Sequence, residues 1–241
     1  MLRVIGPRLL KLLVLLFTVS TVLFFLLRQA GDPAFVIGGI TATPEQLDEI
    51  RRQYGLDRPL FVQYLSYLQS VLRLDFGESL LTGDPALQTV LERFPRTLQL
   101  ALMAIVLSLA VAVPLGAWIG ARPERAPQRL ASGAVFVLQG SPGFVLALLL
   151  IQLFAVELAW LPSVGYSASD WRTWVLPTVS LATFSAPSLA RVIAANVAEA
   201  MREDYIRTAR AYGAEPRTLL WRHALPNALL QLVTGDFLGS Q

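Results

Sequence analysis

The sequence predicts an all-α, polytopic transmembrane helix bundle: four full spans, the start of a fifth, an external helical segment, and a helix-break-helix on the opposite side of the membrane. Three observations predict it. Of the 241 residues 54% are hydrophobic and only 15% are charged, where soluble domains carry about 25%. The apolar residues fall in blocks as long as the ~20 residues that cross a bilayer core. The charge on the connecting segments alternates along the chain.

Composition also excludes whole classes of chemistry. The chain has no cysteine and a single histidine, His223, so thiolate zinc sites, disulfide scaffolds, cysteine nucleophiles and multi-histidine metal sites are not expected. Lys11 is the only lysine and no GxxxxGK[ST] surrounds it, so the chain has no P-loop of its own. No catalytic, cofactor-binding or metal-binding residue is assigned, and no nucleic-acid partner is expected.

The first block, 12–27, follows Arg3, Arg8 and Lys11. It exceeds the ~7–15 apolar residues of a signal core and no small-x-small cleavage site follows, so it reads as a retained anchor. The next blocks are 97–120, 131–156 and 173–190; a fifth begins near Asn227. None of the four full blocks contains Asp, Glu, Lys, Arg or His, which argues against a proton pump, a voltage sensor or a proton-coupled carrier.

Segment 1–11 has three basic and no acidic residues, 121–130 three and one, and 191–226 six and four, whereas 28–96 has seven and nine, and 157–172 one and two. The basic excess falls on alternate segments. By the positive-inside rule these three are cytoplasmic, as is the N-terminus, and 28–96 and 157–172 are outside. The domains follow: 1–28 a transmembrane helix, 29–96 an external helical segment, and 97–241 a transmembrane core containing the cytoplasmic segment 198–226. Within the blocks, Pro114, Gly140-Ser141-Pro142-Gly143, Pro177 and Pro187 disturb the helix. Irregular backbone at membrane depth survives where protein or water satisfies it, so Gly140 to Gly143 are candidates for lining a path. Small residues that let helices pack give the same pattern.

In the external segment, Thr43-Pro44-Glu45-Gln46 reads as a capped helix start with a capping box. Gly55 suits that helix's end. A second helix starts near Asp57-Arg58-Pro59, with Phe61, Tyr64, Leu65, Leu68, Val71 and Leu72 at helical spacing. It lies at the membrane interface or packs over the bundle. Gly83-Asp84-Pro85 marks a turn.

The most specific signal is EAMREDYIRTARAYGAEPRTLLWRHALPN, residues 199–227. It reads as helix, break, helix. Met201, Tyr205, Thr208, Ala209 and Tyr212 share one face, Glu203 and Arg207 have the spacing of a favourable ion pair, and Gly213 suits a left-handed helix end. Pro216 starts the second helix, and Leu225-Pro226 is expected to close it. Such an element either covers the bundle or docks into a groove on a partner.

Here the chain resembles the permease subunits of bacterial ABC importers, binding-protein-dependent transport inner-membrane components. Their signature is EAA, three residues, Gly, nine residues, then I-x-L-P. Ala209, Gly213, Leu225 and Pro226 match it; Arg207, Thr208 and His223 depart. The departures are like the DYxRTARAxG and RHAL of the dipeptide/oligopeptide/nickel subfamily, met here by Asp204-Tyr205, Arg207 to Ala211, Gly213 and Arg222 to Leu225. Gly31-Asp32-Pro33-Ala34, Tyr54-Gly55-Leu56-Asp57, Asp75-Phe76-Gly77-Glu78-Ser79 and Leu161-Pro162 are similar too. The resemblance implies a permease of peptides or similar small solutes in the bacterial cell membrane. It implies as partners a cytoplasmic ABC ATPase that carries ATP and Mg, a second homologous permease, an extracytoplasmic substrate-binding protein and the lipid bilayer. It implies an ATPase-coupling role for Glu203, Asp204, Tyr205, Arg207, Thr208, Ala209, Arg210, Gly213, Leu225 and Pro226. Relatives continue for about two more helices, so the expectation is a chain that stops within its fifth span. The competing reading is a non-transporting anchor or assembly protein whose hairpin binds a soluble partner.

Overall fold

A computed structural model describes residues 2–39, 41–79, 83–167 and 169–238. The described residues form helices and no strand, with one isolated bridge between Glu78 and Pro85. The chain divides into two compact units, 1–94 and 95–241.

In the first unit, α1 (Leu2–Ala30) carries the first apolar block, and α2 (Pro33–Gly38), α3 (Pro44–Gln53) and α4 (Leu60–Leu72) follow. Helix α3 starts as its sequence dictates. Thr43 and Gln46 form a reciprocal capping box, Pro44 takes the first turn, and Gly55 adopts φ +63° just after the end. Helix α4 packs on α1 through a tyrosine ridge. The Tyr64 and Tyr67 hydroxyls lie 2.8 Å from the Thr21 and Ser20 hydroxyls, and both rings lie against Phe24. Each tyrosine thus buries its ring and still pairs its polar end.

The short α2, unforeseen in the sequence, is held by Asp32. Its carboxylate accepts from the Ala34 amide at 2.9 Å and from Arg51 Nε of α3 at 2.8 Å. The Ala34 amide first, and Arg51 after it, hold that carboxyl below the ordinary carboxylate range.

In the second unit the apolar blocks become α5 (Ala86–Ala121), α6 (Ala126–Gly140), α7 (Gly143–Ile151, continued by a π-helical turn Gln152–Glu157) and α8 (Arg172–Ala200). Helix α5 begins in the first unit and runs through Pro95. Its 36 residues rise about 54 Å, so its charged N-terminal turns continue the apolar block rather than forming a separate connection.

The core lies between α5, α8 and the last helix, α11 (Leu225–Leu238), around Ala112, Ala117, Ala190, Ile193, Val197, Leu225 and Ala228. Four of these seven are alanines, as in membrane helix packing, where close backbone approach replaces the hydrophobic effect as the source of contact. Gly116 and Gly120 show how close. A Cβ at Gly116 would sit 2.6 Å from the Ala190 carbonyl oxygen and 2.9 Å from Ile193 Cβ; one at Gly120 would collide with the Ala194 carbonyl oxygen and Val197. About two turns before Gly116, the buried Ser108 hydroxyl donates to the Ala104 carbonyl at 2.7 Å and lies 2.6 Å from the Ser185 hydroxyl.

These contacts advance together along both helices, Ser108 with Ser185, Gly116 with Ala190, Gly120 with Ala194. Helices α5 and α8 therefore run parallel. The chain between them must return from one end of the pair to the other. Helices α6 and α7 make that return, bent by 99° at Ser141-Pro142. The third apolar block is thus a broken span rather than a straight one. The cause is local: Ser141 and Pro142 are extended, with ψ 135° and 126°, as expected for a proline and the residue before it. Across the break, Gly143 lies close against Phe184 of α8: a Cβ there would stand 3.0 Å from the Phe184 ring.

Helix α11 reaches residue 238, and among the described residues three helices, in 6–29, 86–121 and 172–200, are long and apolar enough to cross a membrane, or four when the bent pair is counted as one span.

Replacing Gly120 by Leu is expected to cost at least about 2 kcal/mol through overpacking against a backbone carbonyl, read as a lower melting temperature in detergent. Gly133→Ala, where a Cβ meets nothing within 4 Å, should leave that temperature unchanged or raise it. Equal behaviour of the two would overturn the close-approach account.

Candidate functional site

Helix α8 ends at Ala200, and the chain turns through Met201 to Glu203 before α9 (Asp204–Ala211). Glu203 is extended, with ψ 152°, and stands as the N-cap of α9. This corrects the expected Glu203–Arg207 pair: outside the helix, Glu203 is off the face that Arg207 occupies. Arg207 pairs instead with Asp204 at 3.0 Å, and both side chains are largely exposed, so the pair adds little stability.

Gly213 ends α9 as its type predicts. Its φ is +84°, its amide donates to the Arg210 carbonyl at 3.0 Å, and the next amide, of Ala214, reaches back to the Ala209 carbonyl at 3.1 Å. These two bonds make a complete Schellman motif, with Ala209 and Ala214 as its apolar contact. Pro216 then opens a one-turn α10 (Pro216–Thr218), which passes through a π-helical turn, Leu219–Ala224, directly into α11.

The expected end at Leu225-Pro226 is therefore corrected: the helix runs through Pro226. A proline removes one i→i−4 bond and crowds the carbonyl four residues back. The wider π turn immediately before it carries the chain through that position. Leu225 faces the α5–α8 core at 6% exposure, so Leu225 and Pro226 join this segment to the transmembrane helices rather than to its outer face.

What fastens the segment is a face the sequence did not single out. Ile206 is fully buried, against Ala200, Leu219 and Ala224, with Met201 and Ala209 beside them. Ile206 is the only large aliphatic residue of α9, and that was the available signal. Of the face expected to be apolar, Ala209 reaches this cluster, but Tyr212 is 89% exposed. Tyr205 is bound by its hydroxyl, which accepts from Asn227 Nδ2 of α11 at 3.1 Å. Thr208 folds back to donate to the Asp204 carbonyl at 3.0 Å.

Outward, the segment presents Arg207, Arg210, Tyr212 and Gly213. Glu203, Asp204 and Arg207 come together with Glu199 and Arg202 around an open cleft of about 540 Å³ between the end of α8 and α9. The arrangement is a rigid knuckle: apolar inside, charged outside, covalently continuous with α8 on one side and α11 on the other. It suits mechanical contact with a protein surface. Among the described residues no cluster of three His, Asp or Glu side chains could hold a metal. The other candidates, Gly140, Ser141, Pro142 and Gly143, form the α6–α7 break and are a separate feature.

The family described as "Binding-protein-dependent transport system inner membrane component" matches residues 112–238, and its N-terminal companion matches 1–101. The chain is similar to the glutathione transport system permease protein GsiC of Escherichia coli K12, with 36% identity over 97% of this chain and 76% of the relative. The namesake of Shigella dysenteriae serotype 1 shares the same 36% over the same spans, and that of Shigella flexneri serotype 5b shares 35%.

Truncation of Ile206 to Ala should loosen the knuckle by about 2–5 kcal/mol. Hydrogen–deuterium exchange of the α9 amides would then accelerate, whereas Tyr212→Ala should leave it unchanged. Unaltered exchange in Ile206→Ala would show that the anchor lies elsewhere.

Proposed function

The chain belongs to the binding-protein-dependent transport system inner membrane components, the permeases of ABC importers, and from that premise we propose that its 198–226 segment is the contact through which a cytoplasmic ATPase drives passage of small peptides. Permeases of this family form the membrane path for a solute, work with an ATPase and a substrate-binding protein, and are not themselves enzymes. The protein is an inner-membrane, multi-pass component. The competing reading as a passive anchor has no support in its relatives.

The observation that carries the proposal is the Gly213 knuckle. It is anchored by Ile206, closed by a Schellman motif and charged on its outer face. A push on such an element moves α8 and α11 together, because the knuckle cannot fold away independently of them. Glu203, Asp204, Tyr205, Arg207, Thr208, Ala209, Arg210 and Gly213 form or support the docking face, and Leu225 with Pro226 transmits it. The ATPase supplies ATP and Mg; this chain holds no cofactor in the proposal. A second, related permease completes the path, which the Gly140-Ser141-Pro142-Gly143 break helps line, and an external binding protein delivers the solute. Glutathione, named for the GsiC relatives, is the type of solute proposed.

The N-terminus is cytoplasmic in this proposal. Two facts support it: the basic excess of segments 1–11, 121–130 and 191–226, and the parallel course of α5 and α8, which puts the 121–130 and 200–216 turns at one end of the pair and 157–172 at the other.

Two measurements test this. Gly213→Glu forces a non-glycine residue into left-handed backbone at roughly 1–2 kcal/mol and sets a charge on the docking face. ATP-driven uptake should fall by about tenfold or more with the protein's membrane level unchanged; wild-type uptake would sink the coupling role. Because the chain has no cysteine, single cysteines report orientation directly. A membrane-impermeant maleimide should label Ser163→Cys in intact cells and Arg125→Cys only in inverted vesicles. The reverse pattern would invert the topology.

A further inference from the structure

We propose that a cleft between the N-terminal halves of α5 and α8 is a solute subsite of the permease, one that receives a carboxylate-bearing peptide with Arg96 as the anion contact and Thr178 as a hydrogen-bonding partner. The inference rests on the peptide-importer reading and assigns residues to it.

The cleft has a volume of about 480 Å³ and lies wholly within 95–241. One wall is a stripe of α5: Gln99, Met103 and Leu107. The other is Trp171, the N-cap of α8, with Trp174 and Thr178 in the turns that follow it. The walls are mostly apolar, with polar groups from Gln99, Ser169 and Thr178 set among them, which is how small-molecule sites are commonly built.

Two features mark it as unfinished without a ligand. Thr178 is 6% exposed, and its hydroxyl has no hydrogen-bond partner. Hydroxyls on membrane helices ordinarily bond to the carbonyl four residues back, and Thr183 and Ser185 on the same helix do so at 2.7 and 3.1 Å. Thr178 instead lines the cleft.

The second feature is Arg96. It continues the α5 stripe one turn beyond Gln99, three residues before it. Its guanidinium lies 4.8 Å above the Tyr166 ring, and Tyr166 meets Trp174 edge-on at 5.2 Å. Trp174 lines the cleft, so Arg96 stands just outside the lining and is joined to it through Tyr166 and then Trp174. Among the described residues no carboxylate pairs with Arg96. A guanidinium held over an aromatic face keeps its planar fork free for a carboxylate. Together the groups match a short peptide: carboxylate on Arg96, amide groups toward Gln99 and Thr178, an uncharged side chain against the tryptophans and Met103.

The test uses the complete transporter, with its ATPase, sister permease and binding protein, in proteoliposomes. Uptake of trialanine is compared with that of trialanine amide, which lacks the terminal carboxylate. The binding protein is the same in every arm, so its own preference cancels when a variant's acid-to-amide ratio is divided by that of the wild type. Arg96→Gln should raise the KM for trialanine roughly tenfold to a hundredfold, with ATPase content unchanged, and should lower the acid-to-amide ratio relative to wild type; Arg96→Lys should restore part of it. Thr178→Val keeps the shape of the side chain and should raise KM about fivefold for both solutes. If wild-type complex moves trialanine and neither variant changes KM or the acid-to-amide ratio, the subsite is overturned while the peptide-importer reading stands. If the wild-type complex moves no peptide, both are overturned.

Discussion

Everything in the 95–241 unit depends on how closely α5 approaches α8. A methyl group at Gly116 or Gly120 would enter the space of a backbone carbonyl, so the two helices meet backbone to backbone. In lipid, where apolar side chains gain nothing by leaving one another's company for lipid tails, dispersion contact at this range and a few interhelical hydrogen bonds must hold helices together. The Ser108–Ser185 contact supplies such a bond near one end of the seam. The parallel course of α5 and α8 follows from that seam, and the need for a return crossing by α6 and α7 follows from the parallel course.

Helix α8 is the common member. It carries the seam with α5, receives Gly143 at the α6–α7 break through Phe184, and donates from Asn196 to the Ala228 carbonyl of α11 at 3.2 Å. Its end leads into the knuckle around Gly213. A force on that knuckle thus reaches the helix on which the others are packed. The apolar anchor at Ile206 and the Tyr205–Asn227 bond connect the knuckle to the start of α11 as well. Rigidity here comes from two covalent exits and one small core, with the exposed Asp204–Arg207 pair contributing little.

Five arginines gather at one end of this unit and a group of stacked rings at the other. Arg122, Arg125, Arg202, Arg207 and Arg210 lie at the end where α5 and α8 finish. Trp171, Trp174 and Tyr166 lie where α8 begins, with Arg96 stacked among them. Aromatic rings of this kind are usual at the headgroup level of a membrane.

Features set by neighbours in the chain were legible in the sequence. The Thr43–Gln46 capping box, the left-handed Gly55 and Gly213, the turn at Gly83 and the break at Ser141-Pro142 each follow from the torsional limits and bonding options of a few adjacent residues. So do the apolar blocks, since block length against bilayer thickness is a one-dimensional comparison. What the sequence left undecided is whatever depends on a partner distant along the chain. Arg207 has both Glu203 and Asp204 within helical reach, and the choice fell to Asp204 because Glu203 is the extended N-cap of α9, outside the helix that carries Arg207. Tyr212 and Ile206 are both apolar enough to bury, and only the position of Leu219 and Ala224 makes Ile206 the anchor. Pro226 stops a helix by local rules, yet the preceding π turn and the burial of Leu225 and Ala228 against α8 carry the helix through it. Gly116-x-x-x-Gly120 stood in the sequence as a spacing alone; it became an interface when α8 brought the Ala190 and Ala194 carbonyls against it. Local stereochemistry placed the breaks and caps, and contact between distant helices decided which faces are inside.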